Sequence, residues 1–476
     1  MISINKTIKT SLYFLFFMLT IACSSDDPEP TPDDNSDDTS QNEEESTVPI
    51  ADLIIWQNSY GGNDGDRLQD LIVTRDNGFI FAGVSVSDAS GDKTEDSRGI
   101  DDSDFWLIKT NSSGDILWDK TLGGSFGDAP YTVTETTEGE ILVGGYSNSG
   151  ISGDKLEPNL GHSDFWIVKL SANGEEIWQK TLGGSDIDRL ISIVESPDGG
   201  LVLGGLSQSG ASEHKSEKTI GDTGLFDYWV LKLDVDGNIE WENTIGGSDE
   251  DHLQAMVATN DGGYLLGGWS QSQPGFDKTA VNHGSYDYWL VKINANGDVV
   301  WDASFGGNNW EFLESMVQTS DGGFLIGGTS FSNFDRSSEK QLLGSNYWVV
   351  KINSSGTEEW NSLIGGSVDD FCYAVSESHS GGYVVGGWSQ SGISDDKTVP
   401  GRGERDYWFI ELDSEGAIIG QNVLGTSQID ELRIVKRASG NNYVLAGFSN
   451  ASEDGDKTVA SKGGFDFWVV VMSALY

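Results

Sequence analysis

A unit of about sixty residues recurs along most of this sequence. Its clearest mark is the motif Asp/Asn-aromatic-Trp, which occurs seven times and ends in Trp106, Trp166, Trp229, Trp289, Trp348, Trp408 and Trp468. The spacings between successive members are 60, 63, 60, 59, 60 and 60 residues. A second series, with Gly420 in its seventh place, comprises Trp56, Trp118, Trp178, Trp241, Trp301 and Trp360. Such a regular period predicts a repeat architecture in which each unit packs against its neighbours.

Each repeat contains four short segments with the composition of β-strands. In the fourth repeat, 252–259 and 264–270 are joined by the turn Asn-Asp-Gly-Gly, and 287–293 and 299–305 by Asn-Ala-Asn-Gly. Short Gly-containing turns between apolar and aromatic runs are typical of β-hairpins. The sequence has no helical periodicity after its N-terminal segment. Seven repeats of four antiparallel strands predict an all-β fold, a seven-bladed β-propeller.

The two ends of the repeat region predict how the ring closes. The last repeat stops after its third strand, 465–472, whereas the segment 53–59 has the pattern of a fourth strand with no blade before it. Pairing these segments completes the seventh blade and removes exposed sheet edges. We therefore expect the propeller to occupy residues 53–476, with the N-terminal strand 53–59 completing the last blade.

The residues before the propeller have the composition of a leader and a tether. Residues 1–22 combine Lys6 and Lys9 with an apolar stretch, as a signal peptide does, and Cys23 follows directly. Residues 24–52 carry eleven acids and no base, which predicts a disordered segment. The stretch ending in Cys23 resembles a bacterial lipoprotein signal, which implies lipidation of that cysteine. Cleavage by signal peptidase I is the alternative.

The repeats resemble those of kelch-type propellers. Gly-Gly pairs end the second strand, as at Gly267-Gly268, Gly327-Gly328 and Gly386-Gly387, and a Trp lies in the fourth strand. The unit is closer still to the sixty-residue propeller repeats of Bacteroidota surface proteins, and the resemblance covers all of 53–476. The acids after Cys23 also resemble the export signal of Bacteroidota surface lipoproteins. These resemblances imply a monomeric propeller at the outer membrane, facing the cell exterior.

The net charge excludes one class of partner. The chain has 28 basic and 76 acidic residues, for a net charge of −48, whereas nucleic acids and anionic membranes bind basic surfaces. We therefore expect no nucleic-acid partner, and contact with the membrane through the lipid anchor alone. The two cysteines, Cys23 and Cys372, provide no disulfide framework.

One acidic position recurs in all seven repeats, four residues after the last Gly (or Thr426) of the crossing between blades. Its members are Asp66, Asp128, Asp188, Asp251, Glu311, Asp370 and Asp430. A ring of carboxylates near the channel mouth would suit a hard cation such as calcium. The alternative is a turn carboxylate that accepts backbone N–H bonds in each blade. Because a position repeated in every blade is usually part of the architecture, the structural interpretation is favoured.

Breaks in the repeat consensus predict a ligand site. The long second-to-third loops and the fourth-to-first crossings of a propeller share one face, termed the long-loop face. Trp269, Trp310 and Trp388 fall on this face in the neighbouring repeats four, five and six. Phe276, Phe331 and Phe334 lie in loops of the same repeats. Exposed aromatic rings stack on sugar rings or anchor protein partners. The alternative is that Trp269 and Trp388 fill space between blades.

The sequence favours a binding protein over an enzyme. Five histidines are scattered among the repeats, and none forms a metal-binding pair such as His-x-His. Asp251-His252 is the best acid–base neighbourhood. We expect polysaccharide binding on the long-loop face without catalysis. One alternative is docking to a protein partner in an outer-membrane assembly. The other is a carbohydrate-active enzyme, a lyase or glycosidase, which needs two positioned groups.

Overall fold

The computed structural model of the protein consists of seven four-stranded sheets, and it describes residues 49–99, 103–221, 224–332 and 344–474. A short helix, α1, spans Ile50–Leu53. The first fourteen strands are β1 (Ile54–Tyr60), β2 (Asp66–Val73), β3 (Phe79–Ser85), β4 (Asp104–Thr110), β5 (Ile116–Leu122), β6 (Asp128–Glu135), β7 (Ile141–Ser147), β8 (Asp164–Leu170), β9 (Glu176–Leu182), β10 (Asp188–Glu195), β11 (Leu201–Ser207), β12 (Asp227–Leu233), β13 (Ile239–Ile245) and β14 (Asp251–Ala258). The other fourteen are β15 (Tyr264–Ser270), β16 (Asp287–Ile293), β17 (Val299–Phe305), β18 (Glu311–Gln318), β19 (Phe324–Ser330), β20 (Asn346–Ile352), β21 (Glu358–Ile364), β22 (Asp370–Glu377), β23 (Tyr383–Ser389), β24 (Asp406–Leu412), β25 (Ile418–Leu424), β26 (Asp430–Ala438), β27 (Asn442–Ser449) and β28 (Asp466–Ser473).

Each sheet is one blade of antiparallel strands, and the last blade uses both ends of the propeller. Blades 1 to 6 take β2–β5, β6–β9, β10–β13, β14–β17, β18–β21 and β22–β25 in order. Blade 7 has the order β1-β28-β27-β26, so β1 is its outermost strand. Pairs such as Gln57↔Val470 and Tyr60↔Phe467 set its register. The predicted seven-bladed propeller and its closure are confirmed, with the closing strand at Ile54–Tyr60 rather than at 53–59.

One aromatic contact is repeated at every joint between neighbouring blades. The second residue of the Asp/Asn-aromatic-Trp motif lies against the Trp of the next blade, with ring centroids 4.6 to 5.1 Å apart. The seven pairs are Phe105–Trp166, Phe165–Trp229, Tyr228–Trp289, Tyr288–Trp348, Tyr347–Trp408, Tyr407–Trp468 and Phe467–Trp106. At the four Tyr joints, the hydroxyl also donates to the backbone oxygen of that Trp at 2.9 to 3.2 Å. The last pair joins blade 7 to blade 1 and completes the circle.

The Gly-Gly pair in the second strand follows from two close contacts, shown by the fourth blade. A Cβ on Gly268 would lie 1.8 Å from the carbonyl oxygen of His252, on the bulged inner strand of the same blade. A Cβ on Gly267 would lie 2.8 Å from the sulfur of Met316 in the next blade. The second Gly therefore admits the bulge, and the first lets the next blade approach.

The fourth-strand Trp residues form another contact between blades. Trp118 Nε1 donates to the carbonyl oxygen of Ala172 in blade 2 at 3.2 Å. Trp56, in the closing strand, makes the same bond to Ser112 of blade 1 at 3.1 Å. The closing strand is therefore held by blade 1 as well as by β28.

Connections on the two faces of the disc differ in length. First-to-second and third-to-fourth turns are tight, as where Thr74 N–H donates to Gly78 O at 2.9 Å and Asn111 N–H donates to Asp115 O at 3.0 Å. These turns define the short-turn face. The opposite face carries the second-to-third loops and the crossings between blades, as expected for the long-loop face.

Buried polar contacts anchor the long loops. Asp104 accepts the backbone N–H of Arg98 at 2.7 Å, and related bonds recur in other blades. Lys155 is fully buried and donates to Thr181 Oγ1 of its own blade at 2.7 Å. Arg98 Nε also donates to Asp154 Oδ2 in the next loop at 2.6 Å. These contacts hold the described parts of the long loops of blades 1 and 2 in place.

The predicted leader 1–22, the lipidated Cys23 and all but the last residues of the tether 23–52 lie outside the described residues. Their roles stay predictions. Within the described ranges, no helix combines the length and the apolar character needed to span a bilayer.

Removing the closing strand is expected to open the ring. A chain that begins at Gly61 lacks β1, so β28 becomes an unpaired edge and the bond from Trp56 to blade 1 is lost. At about 1 kcal/mol for each lost ladder hydrogen bond, the free energy of unfolding should fall by several kcal/mol. Thermal unfolding followed by circular dichroism measures the change, with a chain beginning at Pro49 as the control. Equal melting temperatures for the two chains would contradict closure by β1.

Candidate functional site

The inner strands of the blades surround a central channel that encloses about 570 Å³. The fourth residue of each inner strand contributes to its wall: Gln69, Tyr131, Ile191, Gln254, Glu314, Tyr373 and Arg433. The backbone repeats around this wall, whereas the side chains change from blade to blade. The channel is therefore a chemically asymmetric surface on a symmetric scaffold.

Glu314 is an acid–base candidate in the channel wall. Burial raises its pKa to about 7, while the charge of Arg433 and a hydrogen bond from Gln254 act in the opposite direction. The Nε2 of Gln254 lies 3.3 Å from Glu314 Oε2. The carboxyl of Glu314 therefore titrates near neutral pH.

A continuous series of aromatic rings, termed the aromatic arc, lies at the channel mouth on the long-loop face. Its members are Phe226, His252, Trp269, Tyr286, Trp310, Phe312, Phe331, Phe371 and Trp388. Neighbouring ring centroids are 3.7 to 6.4 Å apart. His252 stacks on Trp269 at the shorter distance, and Phe371 stacks on Trp388 at 4.5 Å. The arc extends from blade 3 to blade 6.

Four of the six predicted aromatic residues belong to the arc. Trp310 is 44% exposed and contacts Phe331 at 5.9 Å. Trp269 is partly buried and stacks on His252. Trp388 is only 5% exposed, so it mainly fills space beside Phe371. Trp310 therefore presents the most open ring among the three Trp residues.

The other two predicted residues are not part of the arc as described. Phe276 is 70% exposed at a loop tip with φ +57°, and it has no ring contact among the described residues. Phe334 lies outside the described residues.

Five members of the arc are not among the predicted ligand-binding residues, although the sequence singled out one of them, His252, as an acid–base candidate. His252, Phe312 and Phe371 directly follow the recurring acid, and Phe226 and Tyr286 directly precede the Asp of the third-strand motif. At the position directly after the recurring acid, the other blades carry Arg67, Ala129, Arg189 and Glu431. The residue that directly follows the recurring acid differs from repeat to repeat, and this variation is the signal in the sequence that locates the channel mouth.

Arginine side chains continue the arc from blade 6 towards blade 1. Arg405 Cζ lies 4.4 Å from the ring centroid of Trp388, and Arg433 Cζ lies 4.0 Å from that of Tyr373. Arg67 Cζ lies over two phenylalanine rings, at 4.7 and 5.7 Å. Cation–π contacts of this kind fix the guanidinium groups around the mouth.

The seven recurring acids are fully buried beside the mouth. They are Asp66, Asp128, Asp188, Asp251, Glu311, Asp370 and Asp430. Asp66 Oδ2 accepts the N–H of Gly62 at 2.7 Å and the hydroxyl of Ser87 at 3.1 Å. Each of the others accepts the corresponding N–H and a Ser or Thr hydroxyl, which comes from Ser330 for Glu311 and from Thr426 for Asp430. These are the contacts of a structural turn carboxylate. In the described part of the chain, no three His, Cys, Asp or Glu side chains are grouped as metal ligands. Calcium binding at the seven acids stays a prediction.

Burial raises the pKa of many of these acids. It brings the pKa of Asp66, Asp128, Asp251 and others to about 6. Asp227, the first residue of the third-strand motif in blade 3, is raised to about 8 by burial, with a contribution from the charge of Asp251. An acid with a raised pKa holds its proton more tightly in the folded state. The free energy of unfolding should therefore fall as pH rises from the unfolded pKa of about 4 to the folded value.

Comparisons with known proteins identify no family for the chain. No family model matches it. A segment of 190 residues, 39% of the chain, is 24% identical to the regulatory protein FlaEY of Caulobacter vibrioides. The match covers 20% of that curated relative, so the chain spans about a fifth of its length.

Solved structures resemble the chain weakly. A protein of unknown function from Dyadobacter fermentans has a TM-score of 0.47 and 9% identity, over 88% of this chain and 98% of that one. Puromycin hydrolase has a TM-score of 0.45 and 12% identity, over 80% of this chain and 50% of that one. Both TM-scores are below 0.5, so the two structures indicate nothing about the ligand or activity of this chain.

The variant Asp227→Asn is expected to stabilise the protein at alkaline pH. The amide oxygen keeps an acceptor for the N–H of Ile220, now at 2.7 Å, and Asn346 already occupies this place in blade 5. The neutral amide has no buried charge to form, so the gain in unfolding free energy should be larger by at least about 1 kcal/mol near pH 9 than near pH 5. Urea unfolding at both pH values measures it. An equal gain at the two pH values would contradict a role for ionisation.

Proposed function

We propose that the protein is a non-enzymatic binding protein whose ligand is a polysaccharide held at the aromatic arc. The observation that carries this proposal is the arc itself, which places rings from four neighbouring blades in contact around the channel mouth. Sugar rings have apolar faces that pack on aromatic rings. Trp310, at 44% exposure, offers the most open face for such stacking.

The extent of the arc favours a polymer over a single sugar. Its rings run from Phe226 in blade 3 to Trp388 in blade 6. Successive units of a polysaccharide can each contact a different part of it, whereas a monosaccharide contacts only one or two rings. The anchored loops and buried joints keep the arc preorganised, so little conformational entropy is lost on binding.

The place of action belongs to the same proposal. The leader, Cys23 and the acidic tether support an outer-membrane lipoprotein of a Bacteroidota cell that displays a monomeric propeller to the exterior. A self-repelling acidic segment holds a folded domain away from its anchor. Polysaccharide outside the cell is then within reach of the long-loop face.

Two other functions have specific observations in their favour. Exposed Trp310, with Phe331 beside it, also suits docking of a protein partner in an outer-membrane assembly, since exposed Trp residues are common binding hot spots. A carbohydrate-active enzyme is supported by the His252 Nε2–Glu250 Oε2 contact of 2.8 Å on the arc. Glu314 lies deeper in the channel and would be its second titratable group.

Replacing Trp310 with Ala is expected to weaken polysaccharide binding at least about tenfold, because an exposed stacking face is lost. Affinity gel electrophoresis with plant, algal and host polysaccharides measures the effect. Phe126→Ala is the matched control, since Phe126 is 58% exposed in the crossing from blade 1 to blade 2 and has no ring contact in the described part of the chain. Similar losses in the two variants would contradict a site at the arc.

Incubating the protein with the same polysaccharides, and assaying the mixtures for new reducing or unsaturated ends, separates the three functions. Retention of the protein by a polysaccharide, without release of new reducing or unsaturated ends, supports a binding protein. New ends contradict the non-enzymatic proposal and direct attention to His252, Glu250 and Glu314. No retention on any polysaccharide contradicts sugar binding and leaves the protein-docking function.

A further inference from the structure

A second cavity opens at the channel mouth where blades 6, 7 and 1 meet. It encloses about 440 Å³. Among the described residues, its wall contains three arginines, Arg67, Arg405 and Arg433, and a single acid, Glu431. The other wall residues that the structure describes are uncharged and include Trp388, the last ring of the aromatic arc. The cavity is therefore continuous with the arc.

The charge of this cavity is opposite to that of the chain. Three arginines and one glutamate give it a formal charge of +2 (three minus one), whereas the chain as a whole carries −48. Like charges gathered in a partly buried space repel one another unless an anion offsets them. In a chain with only 28 basic residues, three of them around one cavity indicate an anion-binding role.

Glu431 offsets only part of this charge. Its Oε1 accepts a bond from Arg405 Nη1, and its Oε2 accepts one from Arg433 Nη2 at 3.0 Å. One carboxylate is thus shared by two guanidinium groups. The buried Nε–H of Arg433 has no acceptor among the described residues. A donor of this kind gains free energy when a ligand supplies an oxygen.

Arg67 has no carboxylate partner in the part of the chain that the structure describes. Its guanidinium lies over the rings of Phe448 and Phe465, and the residue is exposed. The rings fix the orientation of the guanidinium group. They do not accept hydrogen bonds from its N–H groups, which point outward within the plane of the group. The N–H groups of Arg67 therefore remain available to a ligand, and their fork matches a carboxylate or a sulfate.

We propose that this cavity binds the anionic group, a carboxylate or a sulfate, of an acidic sugar unit. Arg67 and Arg433 supply the donors, and the adjoining aromatic arc holds the neighbouring sugar rings. The sugar part of this inference rests on the proposed function. The anion site rests on the arginines alone.

An oligogalacturonide and its methyl ester are matched probes, because they share one sugar backbone and differ in charge. In about 0.15 M salt the screening length is about 8 Å, so distant acids of the chain repel the acid form weakly while direct contacts persist. By isothermal titration calorimetry, we expect the acid form to bind at least about tenfold more tightly than the ester. Dextran sulfate against dextran gives the corresponding sulfate pair, and the pair with the larger difference identifies the preferred anion.

Arg67→Gln is the informative variant, because it leaves no acid without a partner. It should weaken binding of the acid form at least about tenfold and leave the ester unchanged. Arg189→Gln is the control, since Arg189 has the same repeat position in blade 3 and lies over Tyr146 at 5.0 Å, away from the cavity. Thermal unfolding verifies that both variants are folded.

The outcomes separate the anion site from the proposed function. Equal affinity for the charged and neutral members of both pairs, or equal effects of the two arginine variants, would overturn the anion site. Ester binding that is lost in Trp310→Ala would then leave the sugar-binding function standing. Binding that depends on Arg67 but not on Trp310 would support the anion site and contradict the arc as the sugar platform. No binding of any of the four probes would overturn the anion site, and the polysaccharide panel would then decide the sugar-binding function by itself.

Discussion

The contact between third-strand aromatic rings is the interaction on which the whole ring depends. Each blade presents a Phe or Tyr to the Trp of the next, and the series closes when Phe467 of blade 7 meets Trp106 of blade 1. Buried Trp rings remove roughly 150–250 Å² each from water, which contributes several kcal/mol per joint at about 25 cal/mol per Å². Every joint is built alike, with ring centroids 4.6 to 5.1 Å apart, so we expect neighbouring blades to meet at similar angles. A constant angle is what allows seven blades to meet without a gap.

Constraint at the joints leaves the channel mouth free to vary. The motif Asp, the Gly-Gly pair and the recurring acid are all tied to backbone groups or to close packing. The side chain directly after the recurring acid is not constrained in this way. It is Arg67 in blade 1, His252 in blade 4 and Phe371 in blade 6. Side chains of different chemical types therefore occur at a position where substitution does not disturb the joints. The same separation of scaffold and site is common in repeat proteins.

The fold was predictable from the sequence because its determinants are periodic. A single repeat shows the strand pattern, and the missing fourth strand after 465–472 locates the closure at the N-terminal strand. Trp269, Trp310 and Trp388 were found because they break the period. The arginine cavity was not, because Arg67, Arg405 and Arg433 occupy three different repeat positions and meet only where the ends of the ring join. The sequence left open whether Trp388, which follows a Gly-Gly pair, is exposed or fills space between blades; it is 5% exposed, whereas Trp310 in the crossing is 44% exposed.

The direction of β1 has a mechanical consequence. The strand runs from Ile54 on the short-turn face to Tyr60 beside the long-loop face. The chain therefore joins the propeller on the side away from the channel mouth. A ligand pulled at the mouth against resistance at Ile54 would load β1 along its length. The ladder between β1 and β28 would then be sheared, with its hydrogen bonds sharing the force, rather than unzipped one bond at a time. Closure by the N-terminal strand thus means that force between the site and the start of the propeller acts on the β1–β28 pair in shear. This is the direction in which a β-ladder resists force best.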